Sequence, residues 1–201
     1  MNFSPLQLDA LTEVFNHGVG QAAMALSQLA NDEVLLSVPA VYIHTKQEVV
    51  QKLGEDGARR ICAVRQGFSG VVNTEAILMF PVEQSLHLVQ MMVGSDAPLE
   101  QLSEMEQEAL AEVGNIVLNS VVSSMADMLQ IPFEGTLPQV ELGLVSDVLS
   151  SDDEPEGMLL SLQINFEISA RQISGYLVFL LDVVSSGELE QSLSAFIEAM
   201  T

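Results

Sequence analysis

Long apolar runs are missing from this chain of 201 residues, although 48% of its residues are hydrophobic. The longest uninterrupted apolar stretches, residues 76–82 and 176–181, fall far short of the roughly 20 residues that a membrane-spanning helix requires. The sequence also opens without the basic region and small-residue cleavage site of a secretory leader. We therefore expect no membrane span and no export, and we predict a cytoplasmic protein.

The sequence contains a single cysteine, Cys62. A single cysteine cannot form an internal disulfide, which fits a reducing compartment. Cys62 lies in an apolar run without an obvious base beside it, so we predict a packing role rather than a catalytic thiol.

Basic residues number only 6, against 28 acidic residues, and the formal net charge is -22. Residues 1–99 contain 10 acidic and 5 basic residues, whereas residues 100–201 contain 18 acidic residues and 1 basic residue. Nucleic acids and anionic membranes are bound largely through clusters of Lys and Arg. The composition therefore argues against both as partners.

The common signatures of hydrolase chemistry are absent as well. The sequence has no Gly-rich phosphate loop of the Walker type, no His and Cys metal cluster and no nucleophile elbow. The acidic run over residues 152–157 reads as a solvated loop rather than as a metal site. We predict that the chain itself binds no metal and no cofactor.

The sequence instead repeats itself at an offset of 99 residues, without a gap. Carboxylate, amide, proline and aromatic residues recur at matching places in the two halves. The matching pairs are Glu13 and Glu112, Val14 and Val113, Asn16 and Asn115, Pro39 and Pro138, Val41 and Val140, and Phe80 and Phe179. We predict one domain, residues 1–201, made of two internal repeats at about 1–99 and 100–201.

Hydrophobic periodicity predicts a long helix, three strands and a closing helix in each half. In the first half these segments are a helix over 5–30, strands over 34–44 (broken near Pro39), 61–68 and 75–80, and a helix over 82–93. In the second half they are a helix over 103–129 with a capping-box start at Ser103, strands over 133–145, 159–168 and 173–181, and a helix from about 186 to 200. Because turns link neighbouring strands, we expect antiparallel pairing, with the long helices on one sheet face. The predicted fold class is a pseudo-two-fold α/β (α+β) sandwich with about six mostly antiparallel strands.

The polar faces of the two long helices carry the candidate functional residues. Residues three and four apart are neighbours on a helix surface, so each set lies on one face, away from the apolar stripe. The two sets are Asp9, Glu13 and Asn16 on the first helix, and Glu108, Glu112 and Asn115 on the second. Either set alone could be ordinary solvent cover. Asn is a mediocre helix-interior residue, however, so its recurrence beside Glu favours a function.

Both sets fit one signature: Asp or Ser, three residues, Glu, two residues, Asn, 22 residues and Pro. The chain thereby resembles the CheC, CheX and FliY phosphatases of bacterial chemotaxis, over nearly its whole length and with the two-copy layout of CheC. The first copy, Asp9, Glu13, Asn16 and Pro39, matches at every position. The second copy is Glu108, Glu112, Asn115 and Pro138, in which Glu108 replaces the expected Asp or Ser.

The resemblance implies a CheC-like fold and a phosphatase that accelerates dephosphorylation of a CheY-type response regulator. It implies that Asn16 and Asn115 orient the attacking water, that Glu13 and Glu112 dock to a Lys of the regulator, and that Asp9 and Glu108 support them. Mg²⁺ is then expected from the phosphorylated regulator and not from this chain. A further partner implied by the family is the deamidase CheD.

Two alternatives remain open in the sequence. Flagellar switch proteins resemble the same fold, so the chain could be a non-catalytic, switch-like or CheD-binding module. Alternatively, only one of the two sites works, because Phe15 and His17 stand where the family commonly shows Gly and Ile. We expect the His17 imidazole to be solvated rather than catalytic.

Overall fold

The computed structural model of the protein describes residues 3–38, 40–54, 59–93, 104–149, 158–168 and 171–200. Within those ranges the chain forms six helices and eight strands. The helices are α1 (Pro5–Ala30), α2 (Lys46–Gly54), α3 (Val82–Val93), α4 (Glu104–Leu129), α5 (Val145–Val148) and α6 (Val183–Met200). The strands are β1 (Val34–Ser37), β2 (Val41–Thr45), β3 (Arg60–Gly70), β4 (Thr74–Pro81), β5 (Phe133–Gly135), β6 (Gln139–Leu144), β7 (Met158–Ile168) and β8 (Arg171–Leu181).

The predicted long helices and all six predicted strand segments are present, but the first strand segment of each half is divided in two. Helix α2 was not predicted, because its stretch is mostly polar. Its start is fixed by a capping box, in which the Thr45 amide donates to Glu48 Oε2 (2.7 Å) and the Glu48 amide donates to Thr45 Oγ1 (3.2 Å). The predicted start at Ser103, the break at Pro39 and the acidic loop 152–157 lie outside the described residues.

All eight strands belong to one antiparallel sheet in the order β1-β7-β8-β4-β3-β5, with β2 also on β7 and β6 also on β3. The first strands of each half therefore pair with the hairpin of the other half. At the centre, Leu78 of β4 pairs with Leu177 of β8, and these residues are 99 apart. The central pair therefore joins matching positions of the two predicted repeats.

Helices α1 and α4 pack on each other and on one face of the sheet, as predicted. Alternating residues of β3 show how the sheet separates two apolar layers. Cys62 and Val64 face the layer under α1 and α4, whereas Ile61 and Ala63 face a smaller layer covered by α2 and α5. The polar faces of α1 and α4 are thus presented on one side of the molecule.

Among the described helices, the segment Gln107–Leu129 of α4 is long and apolar enough to cross a membrane. Half of its apolar window is buried inside the protein. Leu110, Val113 and Val117 of this helix are fully buried in the core beside the sheet. Burial against the sheet accounts for the apolar composition of the segment.

Candidate functional site

On α1, Asp9 and Glu13 are exposed and Asn16 is half-buried. A capping box between Ser4 and Gln7 starts the helix, and apolar residues on the opposite face fix it to the sheet. In the part of the chain that the structure describes, neither carboxylate forms an ion pair or a hydrogen bond. Both are therefore available to a cation on a partner.

The Asn16 amide, in contrast, is fully engaged within the protein. Its Nδ2 donates to the carbonyl of Val38 (2.8 Å) and to the carbonyl of Thr12 (3.0 Å), and its Oδ1 accepts from the amide of Val38 (2.9 Å). Both N–H groups of the side chain are used, because an Asn amide has only two. The first site therefore presents carboxylates next to an amide that holds the backbone.

This engagement follows from the break between β1 and β2. Ser37 pairs with Asn165 and Val41 pairs with Leu162, so the register on β7 shifts by one residue across the break, as it does at a β-bulge. The side chain of Val38 points into the core and is 2% exposed. Its backbone groups lose their strand partner in a buried place, and the Asn16 amide replaces it.

On α4, Glu108 and Glu112 are exposed and Asn115 is half-buried, as on α1. The amide partner differs, because Asn115 Oδ1 accepts from Nδ2 of Asn119 (2.7 Å), one helical turn further on. Within the described ranges, neither N–H of the Asn115 side chain has an acceptor, and no buried side-chain nitrogen lacks a partner. The amide of Asn115 is therefore held at its oxygen and open to solvent at its nitrogen.

A short chain of polar groups connects Asn115 to the sheet. Asn119 exchanges long hydrogen bonds (3.4 Å) with the nearly buried Gln66 of β3. Gln66 Nε2 also donates to the carbonyl of Thr136 (2.8 Å), in the break between β5 and β6. This break has the same bulge, since Gly135 pairs with Phe68 and Gln139 pairs with Arg65.

The bulged residue is turned the other way in the second half. Leu137 occupies the position 99 residues after Val38, and its side chain is 85% exposed instead of buried. The Thr136 amide donates to the carbonyl of Gly67 (2.9 Å), so this segment is held without help from Asn115. Sequence reasoning missed Asn119, Gln66 and Leu137, although the spacing of four between Asn115 and Asn119 was visible.

The residues before the two amides also differ in their packing. Phe15 is fully buried and its ring stacks on Phe179 of β8, with centroids 5.4 Å apart. At the matching place on α4, a Cβ on Gly114 would lie 2.4 Å from Val64 Cγ1. Gly114 thus lets the helix backbone contact β3 directly beside Asn115.

His17, which we expected to be solvated, is exposed, and its ring also bonds to the neighbouring long helix. Its Nδ1 lies 3.0 Å from Ser124 Oγ, and that hydroxyl donates to the carbonyl of Val14 (2.8 Å). Because the serine proton goes to Val14, His17 Nδ1 is the donor in the first bond. His17 therefore ties α1 to α4.

The burial of Cys62 agrees with the packing role predicted for it. Cys62 is buried, and desolvation by burial raises the pKa of its thiol to about 12, which keeps it protonated and unreactive. The described residues contain no group of three or more His, Cys, Asp or Glu side chains that could hold a metal ion.

Models of two protein families match the chain. The CheC-like family model matches residues 6–43, which include the first site, and the model of the chemotaxis phosphatase CheX matches residues 62–153, which include the second.

Two named relatives are similar over most of this chain. It is 28% identical over 147 residues to the CheY-P phosphatase CheC of Bacillus subtilis (strain 168), covering 72% of this chain and 70% of the relative. It is 25% identical over 193 residues to the flagellar motor switch phosphatase FliY of the same organism, covering 92% of this chain. The alignment covers 50% of that FliY, so the chain spans about half the length of this relative.

Solved structures share the fold at lower identity. Thermotoga maritima FliY superimposes with a TM-score of 0.80 at 21% identity, covering 98% of this chain and 100% of the other. The FliM middle domain from H. pylori gives a TM-score of 0.73 at 12% identity, covering 94% and 99%. These likenesses confirm the predicted fold class.

Proposed function

Because the chain belongs to the CheC, CheX and FliY family of chemotaxis phosphatases, we propose that it accelerates hydrolysis of the aspartyl phosphate on a CheY-like response regulator. Transfer of a phosphoryl group to water passes through a loose transition state that needs in-line positioning more than a strong base. The phosphate, Mg²⁺ and a Lys would all belong to the regulator. This chain would contribute one carboxylate and one amide.

The observation that carries the proposal is the unengaged N–H pair of Asn115 beside the exposed carboxylate of Glu112, one helical turn apart. An amide is uncharged and offers donors and an acceptor, so it can hold a water molecule at the phosphorus without taking its proton. Glu112 would pair with the Lys of the regulator and thereby set the angle at which α4 docks. Glu108, one turn earlier, would support this docking.

We assign most of the activity to this second site. Asn16 donates one N–H to the carbonyl of Val38 and the other to the carbonyl of Thr12, so it could orient water only after those hydrogen bonds break. Exposed Glu13 and Asp9 can still bind a regulator there. The first site is then a docking place with little hydrolysis of its own.

The test is the lifetime of the phosphate on a phosphorylated CheY-like regulator with Mg²⁺, with and without this protein. The wild type should shorten the lifetime, and the double variant Asn16→Ala with Asn115→Ala should not. Ser123→Ala is the matched control, because Ser123 is an exposed polar residue on the same helix and should change nothing. An unchanged lifetime with the wild type, across the receiver domains of the host, would refute the proposal.

A second candidate is a non-catalytic module of the flagellar switch, which the likeness to the FliM middle domain and the structural use of Asn16 both favour. This candidate predicts capture of motor components by the wild type, with no effect on the phosphate lifetime. Addition of CheD to the same assay tests the partner implied by the family resemblance, since a regulator of the phosphatase must change the rate.

A further inference from the structure

A cavity of about 240 Å³ lies on the sheet face opposite α1 and α4, between α2 and strands β2, β7 and β8. Its apolar floor is formed by side chains of the smaller core layer, Val49, Leu53, Met79 and Val178. Drug-sized ligands occupy pockets of about 300–1,000 Å³, so this cavity suits a smaller molecule. Nothing in the proposed phosphatase chemistry uses it.

A connected polar cluster forms one wall of the cavity. Lys52 Nζ lies 2.7 Å from His44 Nε2, and His44 Nδ1 lies 2.5 Å from Ser161 Oγ. The Lys52 ammonium also lies 5.0 Å from the centroid of the Tyr42 ring, on which the His44 ring stacks. Polar groups of α2, β2 and β7 therefore lie together on one wall of an otherwise largely apolar cavity.

The protonation of this cluster determines what it can do. Burial, together with the charge of Lys52, lowers the pKa of His44, so the imidazole is neutral at neutral pH. An ammonium can only donate, so Nε2 accepts from Lys52 and Nδ1 donates to Ser161. The imidazole is therefore no base toward the Ser161 hydroxyl, and the cluster is suited to binding and not to nucleophilic catalysis.

The charge at this cavity is opposite to that of the protein. The chain has 28 acidic residues, yet none of the described residues that line the cavity is an Asp or a Glu. Glu48, one turn before Lys52, accepts hydrogen bonds from the amide and hydroxyl of Thr45. Among the residues that the structure describes, the Lys52 ammonium forms no ion pair, and only one of its three N–H groups is used by His44.

We propose that this cavity binds a small organic carboxylate with a compact apolar body. The carboxylate would accept from the Lys52 ammonium, and the body would lie on Met79 and Val178. A neutral molecule would lose the charged contact, and a cation would be repelled by Lys52. The site lies across the sheet from Asn115, so it does not depend on the proposed phosphatase activity.

The experiment follows the methyl resonance of Met79 by NMR on the full chain during titration with three probes that share a phenyl ring and are similar in size. Benzoate should shift this resonance in a saturable way, benzyl alcohol should bind at least about tenfold more weakly, and benzylamine should not bind. Lys52→Met should weaken benzoate about tenfold, whereas Lys46→Met, on the same helix but outside the cavity lining, should not.

Three results would overturn the proposal. The first is the absence of any shift with about 10 mM benzoate, a concentration that would mostly fill even a site of millimolar affinity. The second is binding of benzylamine as tight as that of benzoate. The third is an unchanged benzoate affinity in Lys52→Met. The probe series on the wild type decides the matter without any variant. The result is independent of the phosphate-lifetime assay, because the two measurements concern opposite faces of the sheet.

Discussion

On α1 the Asn16 amide is bonded to the backbone of Val38, whereas on α4 the Asn115 amide is bonded to the side chain of Asn119 and leaves its N–H groups free. Both residues follow a Glu by three positions on an exposed helix face. The same spacing therefore serves two different amides: Asn16 replaces a missing strand partner, whereas Asn115 is open to solvent.

The cause lies in the two bulges and not in the helices. Where the bulged Val38 points into the core, its backbone is buried and needs the helix amide. Where the bulged Leu137 points outward, Thr136 bonds to Gly67 and to Gln66, and the amide is not needed. Hence the direction of one side chain decides whether the facing Asn is available for chemistry.

The largest expected difference between the two sites is catalytic. Asn115→Ala should reduce the acceleration of phosphate loss by about 100-fold, since misplacing the attacking group by about 1 Å costs rates of that order. Asn16→Ala should change it by less than about threefold, because Asn16 is bonded to Val38. Initial rates of phosphate release, measured with folded protein, compare the variants. Equal losses from the two substitutions would show that both amides work.

For stability we expect the reverse order, with the larger loss from the substitution of Asn16. Asn16→Ala leaves the buried amide and carbonyl of Val38 without partners, which should lower the free energy of unfolding by about 2 kcal/mol. Asn115→Ala should lower it by less than about 0.5 kcal/mol, because no buried backbone group depends on that side chain. Urea denaturation of both variants measures the difference. A larger loss from Asn115→Ala would contradict the structural role of Asn16.

Sequence reasoning found the scaffold because the apolar period of the long helices is strong. It placed α1 at residues 5–30, which is where the helix lies. It missed α2, since Val49, Val50 and Leu53 are few apolar positions in a polar stretch. The capping box of Thr45 and Glu48 was the available signal for that helix.

The candidate site was only partly predictable. The signature placed both carboxylate–amide sets on exposed helix faces, but it did not show that one amide is engaged. Val38 and Leu137 are both apolar, so their opposite directions depend on how the core fills around each bulge. The spacing of Asn115 and Asn119 on one helix was visible, but the step from Asn119 to Gln66 joins separate elements, and no local pattern encodes it. The functional roles and the division into two repeats remain predictions.

A pair of glycine substitutions tests how closely α4 and α1 pack against neighbouring atoms at Gly114 and Gly20. Gly114→Ala would place a Cβ within 2.8 Å of three carbons of the stiff Val64 side chain, so we expect a loss of about 1–2 kcal/mol in stability. A Cβ on Gly20 of α1 would have no atom within 4 Å. Gly20→Ala should therefore stabilise the protein by up to about 0.8 kcal/mol through helix propensity. Thermal or urea unfolding measures the stability of the two variants against the wild type. A gain in stability from Gly114→Ala would show that α4 can move away from β3.

The smallest expected effect concerns Asn119, which has Gly20 at its matching place on α1. Asn119 donates to Asn115 Oδ1 and so limits the rotation of that amide, which makes it a positioning residue for the proposed hydrolysis. Asn119→Ala should lower kcat about threefold and leave KM unchanged, because Glu112, which we propose as the docking carboxylate, is intact. The helix should not be weakened, since Ala is the better helix former, and Ser123→Ala provides the control one turn further on. A raised KM with an unchanged kcat would instead mean that Asn119 itself contacts the regulator.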